Sequence, residues 1–187
     1  MTRYLASIVF AAVAFGQLPA TVQNQLETAD RQILRLNPVA FRELPKNLSA
    51  ELERRGCTIP QVPMIAGPHN VIQGEFAKPG QKDWAALCSV NRVSSILVFW
   101  NGSEVRPAEI EKMKDIDRLQ SWTDQQMVYS RAITATDEKN IMKYYNAFGG
   151  EKPPPIDHQG IDDAFVGKAS VIRYFYRGAW LHLTGAD

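Results

Sequence analysis

Residues 71–102 read VIQGEFAKPGQKDWAALCSVNRVSSILVFWNG, and over much of this segment the side chains follow a period of two. Such a period is typical of β-strands, whose successive side chains point to opposite faces of a sheet. The Pro-Gly pair at 79–80 and the Asn-Gly pair at 101–102 are turn signals. We therefore predict three consecutive strands of an antiparallel meander, over 71–76, 83–90 and 94–100.

The run 96–100 is apolar at every position. A strand of that kind is covered on both faces. It is either a central strand between two layers or a strand covered on one side by the segment that carries a disulfide.

Two helices are predicted before the meander. Apolar residues at helical spacing indicate a helix over 22–36, which ends where Asn37 precedes Pro38, because the residue before proline avoids the α conformation. A second helix over 48–55 ends at Gly56, a residue type favoured just after a helix. Residues 58–70 are rich in proline and glycine and predict an extended connector.

The remainder of the chain mixes both types of element. We predict a short helix over 107–119, a strand over 127–135, and an amphipathic helix after Thr136 or Asp137 with an aromatic stripe that packs in the core. The stripe consists of Ile141, Tyr144, Tyr145 and Phe148. A C-terminal hairpin is predicted over 170–184, with its turn at Arg177-Gly178.

The N-terminal segment predicts export. Arg3 is followed by an apolar run over 5–15 that is too short to cross a membrane, and small residues flank a cleavage position after Gly16. We interpret 1–16 as a signal peptide, with an uncleaved anchor or a first core helix as the alternatives. The mature chain, 17–187, is then a single α+β domain that is periplasmic or extracellular and has no stable membrane insertion.

Cys57 and Cys88 are the only cysteines of the chain. Export through an oxidising compartment favours a disulfide between them. Two separate buried thiols are the alternative, and a redox pair is disfavoured because the spacing is far from C-x-x-C. The bond would tie the N-terminal helices to an antiparallel sheet, on which the amphipathic helix packs.

Composition excludes several classes of protein. With 21 basic and 20 acidic residues the formal net charge is +1, which is unlike a nucleic-acid-binding protein. Arg173, Phe175 and Arg177 alternate with Tyr174 and Tyr176, and we interpret this as a hairpin with one solvated face. No phosphate loop, dinucleotide fingerprint or hydrolase elbow is present, and we predict no cofactor and no metal.

The densest group of ionisable residues follows the proline run 153–155 and consists of Asp157, His158, Asp162 and Asp163. An aspartate beside a histidine can orient a general base, and the set offers oxygen and nitrogen ligands to a divalent ion. In the other interpretation, Asp157 caps a short helical turn over 160–165, and Asp162 and Asp163 favour its N-terminal end. His69 and His182 are interpreted as solvent-facing or hydrogen-bonded histidines.

Residues 74–87, GEFAKPGQKDWAAL, resemble one FG-GAP-type repeat of integrins and bacterial propellers. That resemblance implies a strand, a calcium loop and a second strand. Glu75 and Asp83 match the outer two ligands of the loop, whereas Ala77 and Pro79 replace the inner two. Two oxygen ligands are too few for calcium, which prefers six to eight.

The mature chain also resembles an uncharacterised group of exported bacterial proteins, through RGCTIPQ at 55–61, KAS at 168–170 and WLHLTGAD at 180–187. This resemblance implies the location and a shared fold. Abundant aromatics without a complete catalytic set predict a non-enzymatic binding module of the cell envelope, whose partner is a protein or a glycan. The alternative is an acid/base or metal-assisted hydrolase centred on Asp157, His158 and Asp162.

Overall fold

The computed structural model describes residues 20–123 and 126–186. The predicted signal peptide, 1–16, lies outside the described residues. The described helices are α1 (Ala20–Gln32), α2 (Lys46–Arg54) and α3 (Glu138–Phe148). No helix in this part of the chain is both long and apolar enough to cross a membrane.

The meander predicted from residues 71–102 is confirmed, and a fourth strand extends it. Its strands are β3 (Val71–Gly74), β4 (Asp83–Val90), β5 (Val93–Phe99) and β6 (Ala108–Lys114), paired antiparallel in that order.

A second antiparallel sheet has the spatial order β12-β11-β10-β9. Its strands are β9 (Arg131–Thr136), β10 (Gly160–Phe165), β11 (Ala169–Tyr176) and β12 (Ala179–Thr184). The predicted C-terminal hairpin is confirmed as β11 and β12, with positive φ at both turn residues, Arg177 and Gly178. Two small pairs complete the described sheets: β1 (Arg35–Leu36) with β2 (Ile59–Pro60), and β7 (Leu119–Thr123) with β8 (Gln126–Tyr129).

These elements stack in layers. One face of the β3–β6 sheet packs under α2, where Leu48 and Leu52 meet Trp84 and Phe99. The opposite face packs on the second sheet, and Ile96 lies in the same apolar cluster as Ile133 and Ile161. The outer face of the second sheet carries α3 through Ile141, which is fully buried against Ile172, Tyr174 and Leu183. Strand β5 is therefore covered on both faces, as its composition predicts.

The disulfide between Cys57 and Cys88 is present, with the two Cα atoms 5.0 Å apart. Gly56 ends the α2 segment with φ +73°, so Cys57 follows the helix directly, as predicted. Because Cys88 is in β4, the bond joins the helical layer to the middle of the first sheet. The coarse prediction of an α+β fold with one disulfide is supported, but the described strands form two large sheets and two small ones rather than a single sheet.

The helix predicted over 107–119 is wrong. This segment is β6 followed by a 3-10 turn, Asp115–Arg118. The register shifts between β5 and β6, so that Met113 opposes Ser94 and Ile110 opposes Ile96. The two apolar residues are three positions apart, yet they face the same side because a β-bulge inserts one residue between them. A bulged strand can therefore show the three-residue spacing of apolar residues that is typical of a helix.

Residues 127–135 do not form one strand. They are divided between β8 and β9 at Ser130, whose N–H donates to the Arg118 carbonyl while its own carbonyl accepts from Val166 N–H. The chain passes there from one sheet to another. Helix α1 also ends at Gln32, four residues before the predicted end, because Leu36 pairs with Ile59 in a strand.

The aromatic stripe of α3 is only partly in the core. Of the two predicted N-terminal caps, Thr136 and Asp137, it is Asp137 that caps the helix, through a 3.0 Å hydrogen bond that Asn140 N–H donates to its Oδ1. Ile141 is buried, but Phe148 at the end of the helix is 49% exposed.

Candidate functional site

The four ionisable residues predicted as a cluster do not converge. Asp157 is exposed, and its Oδ1 is 3.8 Å from His158 Nε2, beyond hydrogen-bond distance. His158 is buried: its Nδ1 is 3.0 Å from the Gln159 carbonyl oxygen, and its ring stacks on Tyr174 at 4.4 Å.

Asp162 and Asp163 lie in strand β10, so the helical turn predicted over 160–165 is wrong. Because adjacent strand residues point to opposite faces, these two carboxylates are directed away from each other. Asp162 shares its face with Ile172, on the side of α3, whereas Asp163 points toward the first sheet. Burial raises the pKa of Asp162. Among residues 20–123 and 126–186, no group of three or more His, Cys, Asp or Glu side chains is arranged to hold a metal.

The structure instead gathers charges between the two large sheets. Arg131 Nε donates to Asp163 Oδ1 at 2.8 Å and Nη2 donates to Oδ2 at 3.0 Å, and both side chains are fully buried. Arg173 reaches Asp163 Oδ2 at 3.4 Å and Glu111 Oε2 at 2.9 Å. The series ends at the surface, where Glu111 Oε1 is 3.1 Å from Nε2 of the exposed His182.

Glu111 is positioned by the bulge in β6. Its φ is +56°, a conformation uncommon for a residue with a side chain. Arg131 Nη2 donates a 3.1 Å hydrogen bond to the Glu111 carbonyl, so the buried arginine holds the bulge from inside. The bulge directs the carboxylate toward Arg173, as bulges often do beside functional sites.

Arg173 is the deepest residue of this group that also reaches a cavity. It is 4% exposed, and its Nε is buried with no hydrogen-bond partner among the described residues. Burial is the main cause that lowers the pKa of Arg173, and Asp163 and Glu111 act in the opposite direction. A buried N–H without a partner is uncommon in folded proteins.

Two cavities flank β12. The first, of about 580 Å³, is lined by Glu111, Arg173 and His182. The second, of about 540 Å³, is lined by Trp180 and Tyr176 and shares His182 and Leu183 with the first. They are separate pockets with His182 and Leu183 in common, and we refer to them together as the β12 cleft. Both volumes lie within the range of about 300–1,000 Å³ typical of ligand sites.

An aromatic cluster borders the cleft. Trp180 stacks on Trp100 at 5.8 Å, and Phe175 contacts both rings, at 5.3 and 4.9 Å. On β12 the side chains of Trp180 and His182 point to the same face, because they are two residues apart. All three aromatic residues are half-buried, so they offer an apolar surface beside the charged group.

The remaining predicted features have structural partners. His69 Nε2 accepts from Val62 N–H at 2.7 Å, and its Nδ1 is 3.0 Å from the Gly67 carbonyl oxygen. Asp83 accepts four hydrogen bonds, from the N–H groups of Phe76, Ala77 and Asn101 and from Gln81 Nε2. The loop that resembles an FG-GAP repeat is therefore held mainly by the Asp83 carboxylate, and Glu75 accepts one further hydrogen bond, from Gly80 N–H.

Sequence reasoning missed the β12 cleft. It assigned Arg173 to a solvated face, which is wrong because that face packs on the first sheet and buries the guanidinium. It assigned Glu111 to a helix, and only the tertiary structure brings Glu111 next to Arg173. A signal for one wall was present: Trp180 and His182 alternate with two leucines in the C-terminal strand. Neither the family models, the curated proteins nor the solved structures yielded a match to this chain.

Proposed function

We propose that this protein is an exported, non-enzymatic binding module of the cell envelope, and that the β12 cleft is its binding site. The observation that carries the proposal is the pocket of about 580 Å³ lined by Glu111, Arg173 and His182, in which an ion-pair series from the interior reaches the surface. The Arg173 guanidinium is held by two carboxylates, so it has little side-chain entropy left to lose when a ligand binds in this pocket.

Export is supported by the disulfide between Cys57 and Cys88. Such bonds persist in oxidising compartments and are rare in reducing ones. In the periplasm or outside the cell, the available partners are envelope proteins and glycans.

The hydrolase remains a prediction that has less support. Of its three residues, Asp157 is exposed, and His158 is stacked under Tyr174. Asp162 lies on the α3 side of the second sheet and not in the β12 cleft.

The test is retention of envelope material by the immobilised full chain. His182→Ala removes a side chain that is 61% exposed, so it changes the cleft and leaves the core intact. Trp122→Ala is the matched control, since Trp122 is an exposed aromatic on β7. We expect the wild type and Trp122→Ala to retain the same component and His182→Ala to lose most of it. Equal retention by all three proteins would rule out the cleft as the site.

A further inference from the structure

We infer that the outer edge of β12 binds an extended segment of an envelope protein, which joins the second sheet as a fifth strand. This inference rests on the proposed function and specifies the partner and its mode of binding. It is carried by the free backbone groups of β12, by the contrast with the other edges of the two large sheets, and by the pocket that lies beside the strand.

Strand β12 ends the second sheet, so no described strand pairs with its outer edge. The two-residue turn before β12 makes Tyr176 and Ala179 a hydrogen-bonded pair. Since hydrogen-bonded and non-hydrogen-bonded pairs alternate along a hairpin, the N–H and C=O groups of Trp180 and His182 point away from β11. No hydrogen bond within residues 20–123 and 126–186 reaches these groups. They are two donors and two acceptors that a further strand would pair.

The other edges of the two large sheets are protected. The edge of β9 is covered by the buried Asn70, whose Nδ2 donates to the Arg131 carbonyl at 3.2 Å and whose Oδ1 accepts from Ile133 N–H at 2.9 Å. Strand β6 carries charged residues and a bulge, and β3 is only four residues long. Short strands, charges, bulges and covering groups are the features by which proteins keep sheet edges from pairing.

Strand β12 has none of these features along most of its length. Its sequence, AWLHLT, contains no Lys, Arg, Asp, Glu or Pro, and its register with β11 is regular over six residue pairs. Its last residue is covered, because Thr184 Oγ1 donates to the Gly149 carbonyl at 2.7 Å. The edge from Ala179 to Leu183 is therefore a template for another strand.

The smaller of the two pockets, of about 540 Å³, lies beside this free edge. Each residue from Trp180 to Leu183 lines it, together with Tyr176 and the segment that follows α3. Successive residues of a strand point to opposite faces, so a pocket that contacts four of them in a row lies beside the strand and not over one face. The other side of β12 is occupied by β11, which places this pocket at the outer edge.

The side chains around the edge indicate the chemistry of the partner, because a residue of an added strand shares the face of the β12 residue that it opposes. The residue opposite Leu181 would lie on the α3 side, where Tyr176 and Pro154 line the pocket, so an apolar side chain fits there. The residue opposite His182 would lie beside Glu111, whose Oε1 is 3.1 Å from His182 Nε2. Charge complementarity with this carboxylate favours a neutral or basic side chain and disfavours an acidic one.

A second copy of the chain fits this edge less well than a single strand. On the α3 side the edge is bordered by residues that follow α3, Glu151, Lys152 and Pro154. On the other side it is bordered by Glu111 of the first sheet. Pairing of two copies about a twofold axis would bring two sets of these walls together, whereas an extended segment brings no walls of its own.

The test begins with a phage-displayed library of random dodecapeptides, selected on the immobilised full chain. The tightest peptide is synthesised with capped ends, and its binding is measured by isothermal titration. We expect a dissociation constant below about 100 μM. We also expect apolar residues at every second position of the bound segment, and replacement of a residue between them by Glu to weaken binding more than replacement by Lys.

Methylation of the peptide N–H groups, one residue at a time, tests whether a strand is formed. The N–H groups of a strand alternate between its two edges, so only every second methyl group would remove a hydrogen bond to β12. We expect those methyl groups to weaken binding by about tenfold or more, and the intervening ones by less than about threefold. Equal sensitivity at all positions would overturn the inference.

Two substitutions at one position test the same bonds from the side of the protein. His182→Pro removes the outward N–H, a change that an edge strand tolerates, whereas His182→Ala keeps it. We expect His182→Pro to bind the peptide about tenfold more weakly than His182→Ala does. Trp122→Ala, which changes an exposed aromatic residue of β7, is expected to bind it as the wild type does. Thermal melting of every variant identifies any loss caused by unfolding, and the methylation series needs no variant of the protein.

The inference is also overturned if no peptide binds below about 100 μM. It is overturned as well if sedimentation shows a dimer of the full chain that His182→Pro dissociates, because the edge would then belong to a second copy. If envelope material is retained in a His182-dependent way while no peptide binds, the binding module stands and its partner is not an extended protein segment. If no envelope material is retained but methylation gives the alternating pattern, strand addition at β12 stands and the envelope origin of the partner is wrong.

Discussion

Arg131 and Asp163 meet between the two large sheets through two hydrogen bonds of 2.8 and 3.0 Å, and neither side chain is exposed to solvent. Asp163 also contacts Arg173, which in turn contacts Glu111 at the cleft. The interior of the sandwich thus holds an ion-pair series that connects the core to the proposed binding site.

We expect Asp163→Asn to be strongly destabilising, by about 3–5 kcal/mol, because it leaves two buried guanidinium groups without their shared counter-charge. Urea unfolding of the two proteins measures this difference. The control is Glu109→Gln, which removes an exposed pair with Lys112 and is expected to change the free energy of unfolding by less than about 0.5 kcal/mol. Equal effects of the two variants would show that the interior series contributes little to stability.

The disulfide closes a loop between residues separated by 31 positions. We expect the double variant Cys57→Ala with Cys88→Ala to lose about 3–4 kcal/mol of unfolding free energy, because the unfolded chain gains freedom when the loop is opened. Urea unfolding with and without reductant is the measurement. Reductant is expected to destabilise the wild type and to have no effect on the double variant, and insensitivity of the wild type would contradict the prediction.

Asp83→Ala removes the acceptor of two backbone N–H groups and one side-chain amide in the β3–β4 connection, and of the Asn101 N–H after β5. We expect a loss of about 3 kcal/mol or more, because the buried Phe76 N–H and three partly buried donors lose their acceptor. Glu75→Ala loses one hydrogen bond to the exposed Gly80 N–H and is expected to cost under about 1 kcal/mol. Since Asp83 is occupied by the backbone, added calcium is expected to leave the melting temperature unchanged, and a rise would point to a metal loop.

Glu51 in α2 is expected to cause part of the decrease in the free energy of unfolding at acid pH. Hydrogen bonds from Arg54 and Arg55 lower its pKa from 4.5 to about 2. Its contribution is therefore complete above pH 4.5 and is lost as the pH falls toward 2. Because the Arg54 side chain is 69% exposed, solvent screens the pair and the effect is modest.

The measurement is the free energy of unfolding of the wild type and Glu51→Gln between pH 6 and pH 2. The difference between the two proteins is expected to shrink as the pH falls. Glu53→Gln, which removes an exposed carboxylate from the same helix, is the matched control. A difference that stays constant with pH would contradict the assignment.

Asp162 is expected to have the opposite effect to Glu51, because its ionisation lowers the free energy of unfolding as the pH rises. Burial raises its pKa above the ordinary value of 3.8, and its Oδ1 has no hydrogen-bond partner among the described residues. The folded protein therefore holds the proton more tightly than the unfolded chain, and ionisation costs stability as the pH rises. Asp162→Asn is expected to be more stable than the wild type at pH 7, with the advantage disappearing below pH 3.8. The measurement is the free energy of unfolding of the wild type and Asp162→Asn by chemical denaturation at pH 7 and pH 3.

The sequence by itself determined the elements whose signals are local. Alternation, helix caps and turn residues predict the meander from 71 to 100, the end of α2 at Gly56, a cap of α3 at Thr136 or Asp137, and the C-terminal hairpin. The pairing of Cys57 with Cys88 was favoured over two separate thiols by the predicted export, and the structure confirms it. Each of these elements depends on residues close together in the chain, so the sequence pattern is enough to predict it.

The tertiary structure alone decided how the strands are divided between sheets and which charges meet. The bulge at Glu111 gave β6 a helical spacing, and the division at Ser130 depends on the partners that its N–H and carbonyl find. Arg131, Asp163, Arg173 and Glu111 come from four strands, and the sequence shows no relation among them. Burial of a charge requires a counter-charge from another strand, and only packing of the two sheets brings these groups within hydrogen-bond distance.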